Sequence, residues 1–287
     1  MNQINNFIDL IRLKKPIGFM LLFWPCSWGL TLAYDFSTQL NNYFFYLILF
    51  FLGSVLMRSA GCIVNDILDK EFDKKVFRTK DRPIASNQIS IKLGIFYVII
   101  LCFLALLVLL NFNSFTIFLA LGSMPLAFTY PLMKRFTYWP QLFLGITFNY
   151  GLILGWTAIK GQIDFVPIIF YLGAIFWTLG YDTIYGYQDI KDDEIIGLKS
   201  TSIKFKSNPH KFLIICYSVF LLNLLITGLF MELNNFYYLV FMVIFLQIFY
   251  FQLKKLDIKN NIKCLTIFKS NNILGFLVFF GLIIGKI

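Results

Sequence analysis

Residues 43–73 read YFFYLILFFLGSVLMRSAGCIVNDILDKEFD, an apolar run that passes directly into a cluster of acids. The apolar part, residues 43–64, contains one charged side chain, Arg58. An α-helix needs about 20 mostly apolar residues to cross the hydrocarbon core of a bilayer. This stretch therefore predicts a membrane-spanning helix that ends in carboxylates.

The rest of the chain repeats this apolar character. Of its 287 residues, 59% are hydrophobic and only 14% are charged, whereas soluble domains carry about 25% charged residues. Eight further apolar segments fall at residues 17–34, 93–110, 115–132, 139–159, 163–186, 212–231, 235–253 and 270–285. The sequence thus predicts an all-α, polytopic membrane bundle of about nine transmembrane helices, formed by residues 1–287 as a single integral-membrane domain.

The basic residues indicate how these helices are oriented. If the N-terminus lies inside, 22 of the 25 Lys and Arg residues fall on the inner side, Lys160 and Lys286 fall outside, and Arg58 lies within a span. Basic residues collect on the cytoplasmic side of membrane proteins and are attracted to anionic lipid. We therefore expect a cytoplasmic N-terminus, an outer C-terminus and membrane lipid as a partner. The net charge of +10 does not, on this interpretation, indicate nucleic-acid binding.

Cysteine and histidine usage excludes several kinds of chemistry. The five cysteines are scattered, without a Cys-x-x-Cys pair, and His210 is the only histidine. Disulfide-stapled secreted domains, His-based zinc sites and Ser-His-Asp catalysis are therefore disfavoured. The chemistry must use carboxylates, Arg, Lys and Tyr.

Nine of the fifteen acids lie in two short blocks, within residues 65–73 and 182–194. At about 100° per residue, each block directs three carboxylates along one helix face: Asp66, Asp69 and Asp73 with Asn65, and then Asp182, Asp189 and Asp193. Such carboxylates repel one another near a low-dielectric bilayer and require a cation between them. Mg²⁺ suits them, because it prefers oxygen ligands and is usually held by one or two carboxylates plus substrate phosphates.

Phosphate-directed cations follow both blocks. Arg78 and Arg82 come after the first, and Lys199 comes after the second. Arginine can chelate two phosphate oxygens, and lysine supplies a point charge. The alternative is a solvated acidic surface balanced by neighbouring lysines. Two clusters with matched spacing, four spans apart and on the same side, favour a diphosphate site over that alternative.

These motifs resemble those of the UbiA superfamily of intramembrane aromatic prenyltransferases. The resemblance rests on Asn65-Asp-x-x-Asp-x-x-x-Asp73 followed by Arg78-Thr-Lys-Asp-Arg82-Pro, and on Tyr181-Asp182-Thr-x-Tyr185-x-x-x-Asp189-x-x-x-Asp193. Three further segments are similar to the branch that acts on 4-hydroxybenzoate: Arg12-Leu-x-Lys-Pro-Ile-Gly18, Arg58-Ser-Ala-Gly-Cys62 and Tyr130-Pro-Leu-Met-Lys-Arg135. Lys14 departs from the pattern, which has an acid there. The matches span about residues 10–205.

The resemblance implies a helical bundle around a central cavity that opens to the cytoplasm, in a bacterial inner membrane. It also implies transfer of a polyprenyl chain from polyprenyl diphosphate to the ring of 4-hydroxybenzoate, ortho to the hydroxyl, in ubiquinone biosynthesis. We expect Asp69, Asp73, Asp189 and Asp193 to hold Mg²⁺, and Asn65, Asp66 and Asp182 to complete or orient the shells. The remaining expectations are diphosphate binding by Arg78, Arg82 and Lys199, and shielding of the allylic cation by Tyr185.

Two arginines are candidates for binding the carboxylate of the acceptor. Arg135 matches the family's position for that task. Arg58 is the other candidate, but we favour a pairing role for it, in which it holds a first-motif aspartate. Other acceptors, dihydroxynaphthoate or haem, remain open, and a membrane transporter is a more remote alternative because transporter acids usually lie near the bilayer midplane.

Overall fold

Nine apolar helices dominate the computed structural model, which describes residues 3–37 and 40–287. In chain order they are α1 (Ile17–Ala33), α2 (Leu40–Leu68), α3 (Ile91–Leu109), α4 (Ser114–Thr129), α5 (Pro140–Lys160), α6 (Phe165–Gly186), α7 (Pro209–Phe230), α8 (Asn235–Leu246, continued as a π-helix over Gln247–Leu253) and α9 (Asn261–Lys286). Eight of them are long and apolar enough to cross a membrane when α4 is taken with its continuation to Phe136 and α8 with its π-helix, whereas α1 has 17 residues and is shorter. The predicted all-helical membrane bundle is confirmed, and its count agrees with the expected number of about nine.

Five short helices lie between or before the long ones: Gln3–Leu10, Lys70–Asp73, Met133–Phe136, Ile190–Ile195 and Thr201–Lys204. Because nine spans alternate in direction, the segments before α1 and after α2, α4 and α6 lie at the same end of the bundle. Both acidic motifs are therefore at that end.

Local sequence signals set the helix boundaries. The side chains of Ser90 and Asn113 accept hydrogen bonds from the first turns of α3 and α4, as N-caps do. Pro140 and Pro209 stand at the first positions of α5 and α7, where a missing N–H costs nothing. Gly161 ends α5 with a φ of 68°, a left-handed conformation that favours glycine. Residues 261–269, which include Lys263 and Lys269, also remain helical, so α9 begins nine residues before its predicted start.

The bundle is held most tightly where α1 crosses α5. A Cβ placed on Gly29 would lie 1.9 Å from the Leu152 carbonyl oxygen, and one on Gly155 would lie 2.3 Å from the Cys26 carbonyl oxygen. Small residues let helix backbones approach this closely in a membrane, where dispersion contacts replace the hydrophobic effect. This crossing places α1, whose C-terminal half is buried, inside the bundle.

The last helix, α9, completes the bundle against α1. Trp24 Nε1 donates to Asn272 Oδ1 at 2.9 Å, and Trp28 Nε1 donates to the Gly275 carbonyl at 3.0 Å. Lys286 Nζ donates to the carbonyls of Thr31 and Leu32, at 3.1 and 2.7 Å, at the end of α1. The first and last spans are thus neighbours.

Neither the second nor the sixth apolar run is interrupted before its acidic motif, so the sequence predicts that the helices of these two spans continue through the motifs. In the structure both helices end before the middle aspartate. The second span, α2, ends at Leu68, and Asp69 has the non-helical angles φ −97° and ψ 4°. The sixth, α6, ends at Gly186, and Asp189 has nearly the same angles, φ −112° and ψ 6°. Each of these aspartates precedes a short helix, so both motifs turn at their middle carboxylate.

Candidate active site

A polar cavity of about 330 Å³ lies between the two acidic motifs. Its walls include five of the predicted acidic motif residues and Asn65, together with basic and aromatic side chains. The acids are Asp69, Asp73, Asp182, Asp189 and Asp193. The fold therefore brings the motifs of α2 and α6 to one site, although 116 residues separate Asp66 from Asp182.

Basic side chains hold the carboxylates of the first motif. Asp66 lies behind the cavity wall, where its Oδ1 accepts from Arg12 Nη2 at 2.5 Å and from Arg82 Nη1 at 3.1 Å. Arg82 also donates to Asp73 Oδ2 at 2.8 Å. Asp69 is paired with Lys134 Nζ. Its other oxygen, Oδ1, is buried and accepts no hydrogen bond from any described residue.

The second motif is joined to the first by Arg78. Arg78 follows the first motif in sequence, and it donates from Nε at 2.7 Å and from Nη2 to the two carboxylate oxygens of Asp189. Its Nη1 lies 3.2 Å from the Tyr185 hydroxyl. The ring of Tyr185 packs against Phe268 of α9, with centroids 4.4 Å apart. A single guanidinium therefore connects both halves of the site.

Burial alters the acidity of the cavity carboxylates. Burial, together with the neighbouring Asp189, raises the pKa of Asp193 to about 6. Burial also raises the pKa of Asp73, an effect that Arg82 opposes. These carboxyls have lost water and are close to other acids, as expected of groups that a bound cation would neutralise.

The structure places the two candidate acceptor-binding arginines differently from the sequence-based expectations. Arg135 lies outside the cavity walls, with its Nη2 2.6 Å from the Leu68 carbonyl oxygen and its guanidinium over Phe72. Arg58 lines the cavity and lies over the Phe148 ring at 5.4 Å. Its expected ion pair with a first-motif aspartate is not formed within the described residues, because Arg12, Arg82 and Lys134 occupy those carboxylates.

Among the residues missed by the sequence analysis, two pair with aspartates of the first motif. Arg12 and Lys134 both line the cavity and pair with Asp66 and Asp69. Each lies in a segment that carries the family resemblance, and that resemblance was the sequence signal that could have identified it. No helical spacing relates either residue to its aspartate. Lys199 was predicted, and it lines the cavity wall with its Nζ 3.3 Å from the Phe136 carbonyl oxygen.

An apolar chamber of about 220 Å³ adjoins the cavity between α2, α3, α4 and α5. Phe50, Leu106, Met124 and Leu154 are among its lining residues. The chamber shares three side chains with the polar cavity, Arg58, Tyr130 and Phe148. These three residues form the boundary between a charged compartment and an apolar one.

Comparison with known proteins agrees with this arrangement. A model of the UbiA prenyltransferase family matches residues 22–280.

The chain belongs to the UbiA prenyltransferase family.

Similar UbiA-family relatives are named 4-hydroxybenzoate polyprenyltransferase. The mitochondrial protein of Bos taurus is 44% identical over 98% of this chain and 75% of its own length. The 4-hydroxybenzoate octaprenyltransferase of Francisella tularensis subsp. novicida is 39% identical over 99% of both chains.

Solved structures of UbiA homologues share the fold. The apo structure of a homologue from Aeropyrum pernix K1 has a TM-score of 0.73 at 20% identity, covering 94% of this chain and 98% of that one. A homologue from Archaeoglobus fulgidus bound to DMAPP and Mg²⁺ has a TM-score of 0.68 at 16% identity, covering 96% of this chain and 99% of that one. The arrangement of nine helices is thus typical of the UbiA family.

Proposed function

We propose that this protein transfers a polyprenyl chain from polyprenyl diphosphate to the ring of 4-hydroxybenzoate in a Mg²⁺-dependent reaction of ubiquinone biosynthesis. The product is 3-polyprenyl-4-hydroxybenzoate. The observation that carries the proposal is a cavity that combines two carboxylate motifs with basic side chains and adjoins an apolar chamber. The names of the relatives support the choice of substrates.

The carboxylates fit Mg²⁺ in the presence of a diphosphate. Asp69, Asp73, Asp189 and Asp193 would hold it. Asp69 Oδ1 is buried and accepts no hydrogen bond from a described residue, although Arg135 Nη2 lies 3.7 Å from it, so this oxygen can serve as a ligand. Within the described residues no three potential ligands are clustered closely enough to hold an ion by themselves, so the ion would need oxygen ligands from the substrate phosphates. The UbiA homologue with bound DMAPP and Mg²⁺ supports this arrangement. When bound, Mg²⁺ would supply positive charge to the leaving diphosphate.

The basic residues would bind the diphosphate after releasing their aspartates. Arg78 and Lys134 pair with Asp189 and Asp69 in this structure. Both line the cavity, so they can turn to phosphate oxygens once the carboxylates are neutralised. Arg82 and Lys199 would add charge at the same wall. The allylic C–O bond then breaks, and the diphosphate leaves with the electron pair.

Aromatic faces would protect the allylic cation. Tyr185 lines the cavity beside Asp189 and Arg78 and packs on Phe268. A desolvated aromatic face stabilises a cation by about 2 kcal/mol. The ring carbon ortho to the acceptor's hydroxyl forms the new C–C bond. That carbon then loses its proton to a base at the site, either the departed diphosphate or a motif carboxylate.

Arg58 is the best-placed anchor for the acceptor's carboxylate. It is the arginine at the boundary of cavity and chamber, and within the described residues it forms no ion pair. A guanidinium can bind a carboxylate through two parallel hydrogen bonds. We therefore assign the acceptor to Arg58 rather than to Arg135, which is engaged outside the cavity walls.

The apolar chamber would receive the first part of the prenyl chain. Its side chains are almost entirely hydrophobic, and it begins at the boundary residues next to the diphosphate site. The chain therefore passes from the charged cavity into an apolar surrounding without crossing water.

The protein spans the membrane as a helical bundle, and we propose its orientation from the charge distribution. The N-terminus and the cavity opening face the cytoplasm, the C-terminus lies outside, and the membrane is the bacterial inner membrane.

Membranes that contain the protein test this function. They should prenylate 4-hydroxybenzoate with polyprenyl diphosphates of graded length when Mg²⁺ is present, and activity should be lost when Mg²⁺ is chelated. Membranes with the Asp69→Ala variant are the matched control for endogenous activity. Turnover of dihydroxynaphthoate without turnover of 4-hydroxybenzoate would contradict the acceptor assignment.

A further inference from the structure

The chain around the start of α1 contacts α2 at two points. Arg12 has a φ of 54°, a left-handed conformation that is rare for a residue with a side chain. In this conformation its guanidinium reaches Asp66 of α2 at 2.5 Å. The second point is Gly18, in the first turn of α1, which lies against Arg58.

The contact at Gly18 leaves no space for a side chain. A Cβ at this position would lie 2.7 Å from Arg58 Nε, 3.4 Å from Nη2 and 3.5 Å from Cζ. Carbon and nitrogen cannot remain at 2.7 Å, so one of them must move. The arginine side chain is the flexible partner, and all three of these close contacts are to its guanidinium group.

We propose that Gly18 is a positioning residue for the acceptor: because it has no Cβ, Arg58 can hold its guanidinium over Phe148 at the boundary of cavity and chamber. This inference rests on the proposed acceptor-binding role of Arg58. The guanidinium fork binds a carboxylate in a fixed plane, so its displacement would misplace the aromatic ring relative to the allylic carbon. The role belongs to glycine alone, since any other residue supplies the Cβ.

The Gly18→Ala variant tests this role. We expect kcat/KM for 4-hydroxybenzoate to fall about ten- to hundredfold, because a displacement of about 1 Å has effects of that size on reactions between positioned groups. The KM for geranyl diphosphate should change less than about twofold, since Arg78 and Lys134 are untouched. Alanine is a better helix former than glycine, so the midpoint of thermal unfolding should not decrease.

A matched substitution and a double variant separate positioning from a general defect. Gly122 also lies within an apolar helix, and a Cβ there meets nothing within 4 Å, so Gly122→Ala should leave both kinetic parameters unchanged. In an Arg58→Ala background, Gly18→Ala should have no further effect, because the group it displaces is absent. Additive losses in the double variant would overturn the proposal.

A structure of the Gly18→Ala variant tests the positioning independently of activity. The Arg58 guanidinium should be displaced from the Phe148 ring, and an unmoved guanidinium would overturn the proposal. If the wild-type protein does not prenylate 4-hydroxybenzoate, the proposed function fails, whereas this structural comparison still decides the role of Gly18. Wild-type turnover with an unaffected Gly18→Ala variant would refute the positioning role and leave the proposed function intact.

Discussion

At the scale of single residues, the site consists of carboxylates neutralised by basic side chains. Asp66 is buried with two arginines, and Asp69 is buried with Lys134. Removing one partner of a buried ion pair leaves a charge without compensation and costs about 3–5 kcal/mol. The same pairs can exchange partners when Mg²⁺ and diphosphate bring charges of both signs together. The carboxylates of the first motif are thus already paired with basic side chains before substrate binds.

The first prediction concerns the middle aspartate of each motif. Asp69→Ala and Asp189→Ala should each reduce kcat at least about a hundredfold, because each removes a carboxylate that would hold Mg²⁺. The measurement is prenylation of 4-hydroxybenzoate in membranes with equal amounts of protein. Glu71→Ala is the control, because Glu71 is exposed and paired only with Lys74. Full activity in either aspartate variant would refute the assigned metal-binding role.

The second prediction concerns the acidity of Asp193. Its pKa is raised to about 6, and a carboxylate must lose its proton before it binds a metal. The Mg²⁺ concentration required for half-maximal activity should therefore increase as the pH falls below about 6. It should be independent of pH well above that value. Asp193→Asn should remove the pH dependence of this Mg²⁺ requirement. If the variant keeps the same pH dependence, a group other than Asp193 causes it.

At the scale of elements, the close crossing of α1 and α5 positions the site. Gly29 and Gly155 bring the two backbones into contact. The N-terminal turn of α1 carries Gly18 to the cavity, and α5 carries Phe148 to its other wall. The distance between these helices therefore determines the width of the boundary at Arg58.

The third prediction concerns this crossing. In Gly155→Ala, the new Cβ meets the backbone of Cys26 and Leu30, at 2.3 and 2.6 Å, and neither can rotate away. Overpacking of this kind typically destabilises a protein by about 1–3 kcal/mol. The midpoint of thermal unfolding in detergent should fall, and Gly122→Ala should leave it unchanged. Equal midpoints for the two variants would show that the α1 and α5 backbones can separate without cost.

At the scale of the whole molecule, the two ends of the bundle differ in charge and in function. The motifs, the cavity and most basic residues lie at one end of the bundle, whereas Lys160 and Lys286 lie at the other. The last three helices carry no motif, yet α9 packs on α1 and supplies Phe268 to the cavity. The cavity wall therefore extends to the last helix, α9.

The fourth prediction tests the proposed orientation. In a background without the native cysteines, Lys160→Cys should react with a membrane-impermeant maleimide in intact cells. Glu194→Cys should react only after the membrane is opened, because the proposed orientation places the cavity end of the bundle in the cytoplasm. The reverse pattern would invert the topology.

The sequence by itself determined the membrane bundle, the two carboxylate motifs and their placement at one end. Spans are long and local, and each motif follows directly on the end of a span in the sequence, although the helix face expected for Asp66, Asp69 and Asp73 is interrupted because α2 ends at Leu68. Only the tertiary structure decided which cation meets which carboxylate. Arg12 reaches Asp66 across 54 residues and Lys134 reaches Asp69 across 65, and no periodicity records such distances. The structure also decided that Arg58 lines the cavity and Arg135 does not. Which arginine reaches the cavity depends on how the helices pack, and the neighbouring residues in the sequence do not show this.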